Sequence, residues 1–243
     1  MKTCIVIPFY NHPQAIQHVL ERLESFALPC VIVNDGSSSD SRPVLEQLAQ
    51  RYAWVSLIHR SQNGGKGAAV IDGLNHAIRQ GFSHAIQIDA DGQHNIADIP
   101  RFLNVSESHP EQLILGQPVF GPEVPKKRLY GRQITNIWIH INTLSNAIAD
   151  GMCGFRCYPL AAVERLLQSA RLGQRMDFDI EIVVRLYWQG VGVINLPTPV
   201  RYPLDGVSHF NMLKDNVLIS AKHAQLFFGM FWRFPVLLLR RWR

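Results

Sequence analysis

Four apolar runs, "TCIVIPFY", "PCVIVND", "WVSLIHR" and "HAIQIDAD", each stop at a polar cluster, and the segments between them repeat apolar residues at helical spacing. After the first run come Ile16, Val19, Leu20 and Leu23. The second is followed by "RPVLEQLAQRY", behind a Ser/Asp cluster placed to cap it, and the third by "AAVIDGLNHAIRQG", closed by Gly81. Continuous β-branched runs read as strands buried on both faces, the pattern of a parallel sheet covered by helices. Parallel neighbours need right-handed crossovers, and an open sheet of this kind takes ligands at the carboxyl ends of its strands. The clusters "DGSSSD", "SQNGGKG" and "DADGQH" fall at such ends. A chain of 243 residues with 47% hydrophobic content can bury the core this requires.

Composition narrows the partners. A net charge of +5 with only 18% charged residues is too mild to imply a nucleic-acid partner. The opening "MKTCIVIPFYNH" is interrupted by Pro8, Tyr10, Asn11 and His12 before a signal-peptide core is complete, so it reads as the first strand. Cys4, Cys30, Cys153 and Cys157 lie in apolar or motif-like surroundings without paired CxxC knuckles, and reduced thiols in a cytoplasmic protein are expected.

Asp89 and Asp91 stand two apart behind the fourth apolar run. In extended chain such residues point to one side, and their mutual repulsion calls for a cation such as Mg²⁺ or Mn²⁺ between them. A solvated Asp-x-Asp-Gly turn is the alternative. An EF-hand is excluded, because His94 and Pro100 occupy the positions that need Gly and Glu. Asp35 either caps a turn or faces a nucleotide from the second strand. "NGGKG" lacks P-loop spacing, yet Lys66 between glycines at a helix start suits a diphosphate. No GxGxxG follows the first strand, which counts against a nicotinamide dehydrogenase.

In this order and spacing, "IPFYN", "VNDGSSSD", "NGGKGAA" and "DADGQH" resemble the nucleotide-binding half of family 2 glycosyltransferases with a GT-A fold. Within that family the likeness is to dolichyl-phosphate mannose synthases and bacterial polyprenyl-phosphate glycosyltransferases. "GMCGFRCYPL" with "YPLDGVSHF" is also similar to glycosyltransferases of aryl-polyene lipid clusters. The resemblance implies that Pro8, Tyr10, Asn11, Asp35 and Lys66 serve the nucleotide sugar, and that Asp89, Asp91 and Gln93 serve the metal and diphosphate. His12 stands where the family often has an acidic residue.

The second half is expected to hold the acceptor. Lys126, Lys127, Arg128 and Arg132 open a helical segment as either a solvated surface or a phosphate clamp, and Arg156 in "GFR" is a further phosphate candidate. Asp177, Asp179 and Glu181 begin another helix, where they favour the dipole. Asp177 and Asp179 are also base candidates if the acceptor is a hydroxyl. In "ISAKHAQLFFGMFWRFPVLLLRRWR" the apolar residues are broken by Arg233 and Pro235, too short a run to span a bilayer. Aromatics Phe227, Phe228, Phe231, Trp232 and Trp242 among arginines fit either core packing or a helix at an anionic membrane surface.

The expectation is therefore an α/β chain with a mostly parallel, Rossmann-like GT-A sheet. Residues 1–210 form the transferase domain, divided into a donor half, 1–100, and an acceptor half, 101–210. Residues 211–243 form an amphipathic membrane-surface segment. The expected activity is inverting, metal-dependent sugar transfer from a UDP- or GDP-sugar to a lipid acceptor, a polyprenyl phosphate, at the inner face of the membrane. Glycosylation of a hydroxyl on another lipid and a non-catalytic nucleotide-sugar-binding module are the alternatives; a nucleotidyltransferase would want a glycine-rich loop that "IPFYNHPQ" lacks.

Overall fold

A computed structural model describes residues 1–121, 124, 126–200 and 211–240, without the side chains of residues 127 and 128. Its centre is a seven-stranded sheet in the order β3-β2-β1-β4-β6-β5-β7. The strands are β1 (Thr3–Phe9), β2 (Cys30–Asn34), β3 (Val55–His59), β4 (His84–Gln87), β5 (Leu113–Phe120), β6 (Arg156–Pro159) and β7 (Val193–Val200). β1 is parallel to β2 and β4, β2 to β3, and β5 to β7. β6 alone is reversed, antiparallel to both β4 and β5.

The helices are α1 (Pro13–Leu23), α2 (Ser41–Arg51), α3 (Lys66–Arg79), α4 (Ile99–Ser108), α5 (Lys126–Thr143), α6 (Leu160–Ser169), α7 (Phe178–Trp188), α8 (Met212–Phe231) and α9 (Phe234–Arg240). They cover the sheet with two apolar layers. One includes Ile16, Leu20, Leu45 and Phe102 from α1, α2 and α4. The other includes Val70, Val163, Ile182 and Leu226 from α3, α6, α7 and α8. All seven residues of β1 are buried, as its position inside the sheet requires.

The strand, loop and helix units read from the first half of the sequence are all present. One cap differs. Asp40 occupies the N-cap position of α2 without a capping hydrogen bond, because its backbone is already helical (φ −72°, ψ −25°) rather than extended. The Ser39 hydroxyl donates to the Asp40 carboxylate at 3.3 Å instead.

Candidate active site

Elements that end or begin at one edge of the sheet enclose a cavity of about 360 Å³, lined by Pro8, Tyr10, His12, Asp35, Lys66, Asp89, Asp91, Gln93, Arg132, Arg175, Asp179, Asp215 and other residues. β4 stops at Gln87, and Asp91 comes from a turn closed by Gly92 (φ +73°), not from extended chain. Asp89 and Asp91 still line the same cavity, so the pair is brought together by a turn in place of the strand alternation expected. The Gln93 amide donates to Asp91 Oδ1 at 3.1 Å and fixes that turn.

Lys66, the first residue of α3, sits between two carboxylates. Its Nζ lies 2.9 Å from Asp89 Oδ1 and 2.9 Å from Asp179 Oδ2, and His94 Nε2 lies 3.3 Å from Asp89 Oδ2. Burial alone would depress the ammonium, but Asp179 and Asp89 outweigh it and hold Lys66 above its ordinary value. For Asp89, burial would raise the acid, and Lys66 with His94 more than reverse this, keeping the carboxyl well below the usual range. The loop before Lys66 is fixed by Asp35, whose buried carboxylate accepts from the backbone N–H of Gly64 (2.9 Å) and Gly65 (2.7 Å) and from Asn63 Nδ2 (3.0 Å). Gly65 has φ +101°, a conformation that L side chains rarely adopt. Asn11 joins the ends of β1 and β2, its Oδ1 accepting from Ser38 N at 2.8 Å and its N–H donating to Ser37 Oγ at 3.1 Å.

The second half supplies the opposite wall. Arg132 lies over the Phe120 ring at 5.3 Å and is gripped by Asp150, which accepts from its Nε and, at 2.8 Å, from its Nη2. Arg156 is placed differently from the phosphate contact expected. It is fully buried in β6, donating to the carbonyls of Cys153 (2.6 Å), Gly151 (2.8 Å) and Asp179 (3.0 Å), with Nη1 3.4 Å from Asp179 Oδ1. A strand flanked by two neighbours hides its side chains beneath the helices, so this guanidinium braces Asp179 from behind.

The two base candidates separate. Asp179 lines the cavity, whereas Asp177 accepts from Arg175 N at 3.2 Å and lies 3.5 Å from Lys222 Nζ of α8. Glu181 is buried behind them, 2.7 Å from both Lys222 Nζ and Arg185 Nε. Arg128 falls in α5, but its side chain lies outside the described residues. The sequence pattern does not single out His94, Asp150, Glu181, Lys222 or Asp215 as site residues: Asp150 meets Arg132 of α5 and Lys222 of α8 meets Glu181 of α7, whereas His94 pairs with nearby Asp89, Glu181 also with Arg185 one turn on, and Asp215 with Asn211.

Asp89, Asp91 and Gln93 fit a hard divalent cation by donor chemistry. All three line the cavity and carry side-chain oxygens, and buried Asp89 Oδ1 has no hydrogen bond, only the Lys66 ion pair. Among the described residues no group of three or more His, Cys, Asp or Glu side chains is gathered for a metal, so such an ion would rely on water and substrate oxygens.

Near the cavity two helices turn apolar residues outward. On α5 these are Tyr130, Ile134, Ile137, Trp138 and Ile141, and on α8 Met212, Leu213, Val217, Phe228 and Phe231, followed by Trp232, which is 89% exposed. From 133 to 143, α5 has no Asp, Glu, Lys or Arg. α8 also buries Ile219, His223, Leu226 and Met230, and half-buried Phe227 packs edge-on against Trp138, so core packing and an apolar outer face share this helix. Arg233 lies over the Trp188 ring at 4.5 Å and Arg240 donates to the Tyr187 carbonyl, while Arg241, Trp242 and Arg243 lie outside the described residues. No helix among the described residues is long and apolar enough to cross a membrane.

Comparison with known proteins places this geometry. The chain is 29% identical over 198 residues to a dolichyl-phosphate beta-glucosyltransferase of Trichomonas vaginalis, covering 74% of this chain and 59% of that protein. It is 28% identical over 203 residues to a polyprenol monophosphomannose synthase of Mycolicibacterium smegmatis, covering 81% of this chain and 76% of that one. Among solved structures, glucosyl-3-phosphoglycerate synthase of Mycobacterium tuberculosis superposes with a TM-score of 0.64 at 14% identity, over 96% of this chain and 79% of that one. A mannosyltransferase of Pyrobaculum calidifontis, solved with GDP-Man and Mn²⁺, gives 0.58 at 14% identity, over 98% and 73%. These likenesses show a shared GT-A-like fold. The glycosyl transferase family 2 model matches residues 4–167, well over half of the chain, and the protein belongs to that family.

Proposed function

We propose that the protein transfers a sugar, with inversion, from a nucleotide diphosphate sugar to a polyprenyl phosphate at a membrane surface. The observation that carries this reading is the engagement of Asp179. Its Oδ2 is ion-paired with Lys66 at 2.9 Å and its buried Oδ1 faces Arg156 Nη1 at 3.4 Å, so a proton taken from an acceptor hydroxyl would have to be received between two cations. Asp177, the other base candidate, does not line the cavity. A site whose two base candidates are placed in this way suits an acceptor that is already an anionic nucleophile and needs mainly to be positioned. A phosphate monoester is such a group, and Arg132 lines the cavity to meet it.

In the proposed reaction an acceptor phosphate oxygen attacks the anomeric carbon. The bond from that carbon to the diphosphate breaks, and the electron pair leaves with the nucleoside diphosphate. Pro8, Tyr10 and Asp35 line the part of the cavity assigned to the nucleotide, while Asn11 and Asp35 hold its loops. Lys66 sets a positive charge beside the departing diphosphate. Asp89, Asp91 and Gln93 would hold Mg²⁺ or Mn²⁺, which when bound would neutralise charge growing on the leaving group.

Support for a lipid acceptor comes from the walls of the cavity. Arg132 of α5 and Asp215 and Ile219 of α8 line it, while the outer faces of both helices are apolar. On α8, Lys222 is the only charged residue from 216 to 231, and it is ion-paired inward with Glu181. Such a surface suits the interfacial zone of a bilayer. The docking face thus includes α5 beside the C-terminal helices. The relatives bearing polyprenol and dolichyl-phosphate names support the same acceptor class.

The test is to incubate purified protein with labelled UDP-glucose or GDP-mannose, Mn²⁺ and undecaprenyl phosphate in vesicles. The expected product is an acid-labile glycosyl phospholipid, absent with Asp91→Asn. Nucleotide release accompanied by transfer to a neutral lipid hydroxyl would refute the phosphate acceptor. Binding of the nucleotide sugar without any release would identify a binding module.

A further inference from the structure

We infer that Asp150 is a positioning residue, the anchor that fixes Arg132 toward an anionic group at the acceptor side of the cavity. The inference rests on the reading of that side as a phosphate site. Asp150 is 4% exposed and sits just before the loop that leads into β6. Its Oδ1 accepts from the backbone N–H of Met152 (2.9 Å) and Cys153 (2.8 Å), so the loop immobilises the carboxylate. The same carboxylate accepts from Arg132 Nε and Nη2 and, at 3.4 Å, from Asn136 Nδ2, one turn further along α5. A two-point grip on a planar guanidinium fixes both its position and its plane. Phe120 supports the guanidinium from its face.

The anchor also reaches the other wall. Further along the same loop, at Gly154, the chain runs so close to Asp89 that an added Cβ would lie 2.3 Å from Asp89 Oδ2. One carboxylate therefore sets the register between Arg132 and the Asp89–Asp91 pair across the cavity. An unanchored arginine on a helix surface would sample many rotamers and lose entropy at each encounter with a ligand.

The test uses the full chain, with two readouts. Calorimetric titration with inorganic phosphate should show binding that weakens at least about tenfold in Asp150→Asn, since asparagine cannot provide the charged two-point grip. Arg132→Lys retains the charge but loses the fork, and should weaken binding similarly. In an Arg132→Gln background, Asp150→Asn should add less than about twofold, because coupled residues are not additive. In the transfer assay the KM for polyprenyl phosphate should rise while the KM for the donor stays within about twofold. Absence of phosphate binding by the wild type, a lysine variant that binds as well as the wild type, or additive losses would overturn the inference. Phosphate binding with these variant effects but without transfer would overturn the functional reading and leave the anchor in place.

Discussion

A methyl group added at residue 154 has no room. The Cβ of Gly154→Ala would lie 2.3 Å from Asp89 Oδ2, 2.6 Å from Oδ1 and 2.7 Å from Cγ, where ordinary contact begins near 3.4 Å. The carboxylate must retreat by about 1 Å, because the loop is tied on both sides: Cys153 N–H donates to Asp150 at 2.8 Å, and the Phe155 carbonyl accepts from Gly116 at 2.8 Å. A retreat on that scale separates Asp89 from Lys66 or His94, now 2.9 and 3.3 Å away. Overpacking of this kind costs roughly 1–3 kcal/mol, and an error of about 1 Å at reacting groups costs up to about 100-fold in rate. The expected result is a fall in kcat/KM approaching that figure, with a loss of several degrees in Tm for a domain of this size. The assay is nucleotide release on labelled donor and polyprenyl phosphate, with a thermal scan on the same samples. A variant with kcat/KM within about threefold of wild type and an unchanged Tm would refute the contact, since the volume of the added methyl does not depend on the assay.

Three further outcomes follow from buried groups. Arg156→Met should destabilise the fold by about 3–5 kcal/mol in urea titration, because it strips Asp179 of a buried partner and leaves the Gly151 and Cys153 carbonyls unpaired; a loss below about 1 kcal/mol would contradict the bracing role. Burial pushes the His223 imidazole down to about 4, so between its unfolded value of 6.5 and about 4 the unfolded chain binds a proton that the folded chain does not. Its contribution is complete above 6.5 and falls by about 3 kcal/mol as pH drops to about 4; His223→Leu should flatten that part of the stability–pH curve, and an unchanged slope would refute it. Burial also pushes Cys4 and Cys157 up to about 12 and Cys153 up to about 11, so a thiol reagent at about pH 8 should label these residues only after denaturation, and rapid native labelling would contradict their placement.

The first hundred residues were legible because their polar clusters follow local sequence patterns. Asp35, Asp89 and Asp91 each sit just past a recognisable apolar run and Lys66 opens the helix after another, and a parallel sheet delivers such positions to one edge. The second half of the chain hides its logic in contacts between distant residues. Arg132 and Asp150 are 18 residues apart, and Lys222 meets Glu181 from another helix. Arg156 misled for a specific reason: β6 is four residues long and begins with a cation, so nothing in its pattern marks it as an interior strand. Only the pairing of its neighbours on both sides buries it.

The reversal of β6 has a consequence for how this architecture can diversify. β5 is antiparallel to β6, so the chain leaves the sheet at the end of β5 and re-enters it at the start of β6 on the same side. α5 and the loop through Gly154 lie on this detour, whose two feet stand on the edge of the sheet that carries the cavity. Lengthening a surface excursion carries only a slowly growing entropic penalty. Insertions or exchanges in that detour away from Gly154 can therefore reshape the wall that carries Arg132 while the registers of β1, β2, β3 and β4 stay as they are, whereas a change at Gly154 reaches Asp89 as well.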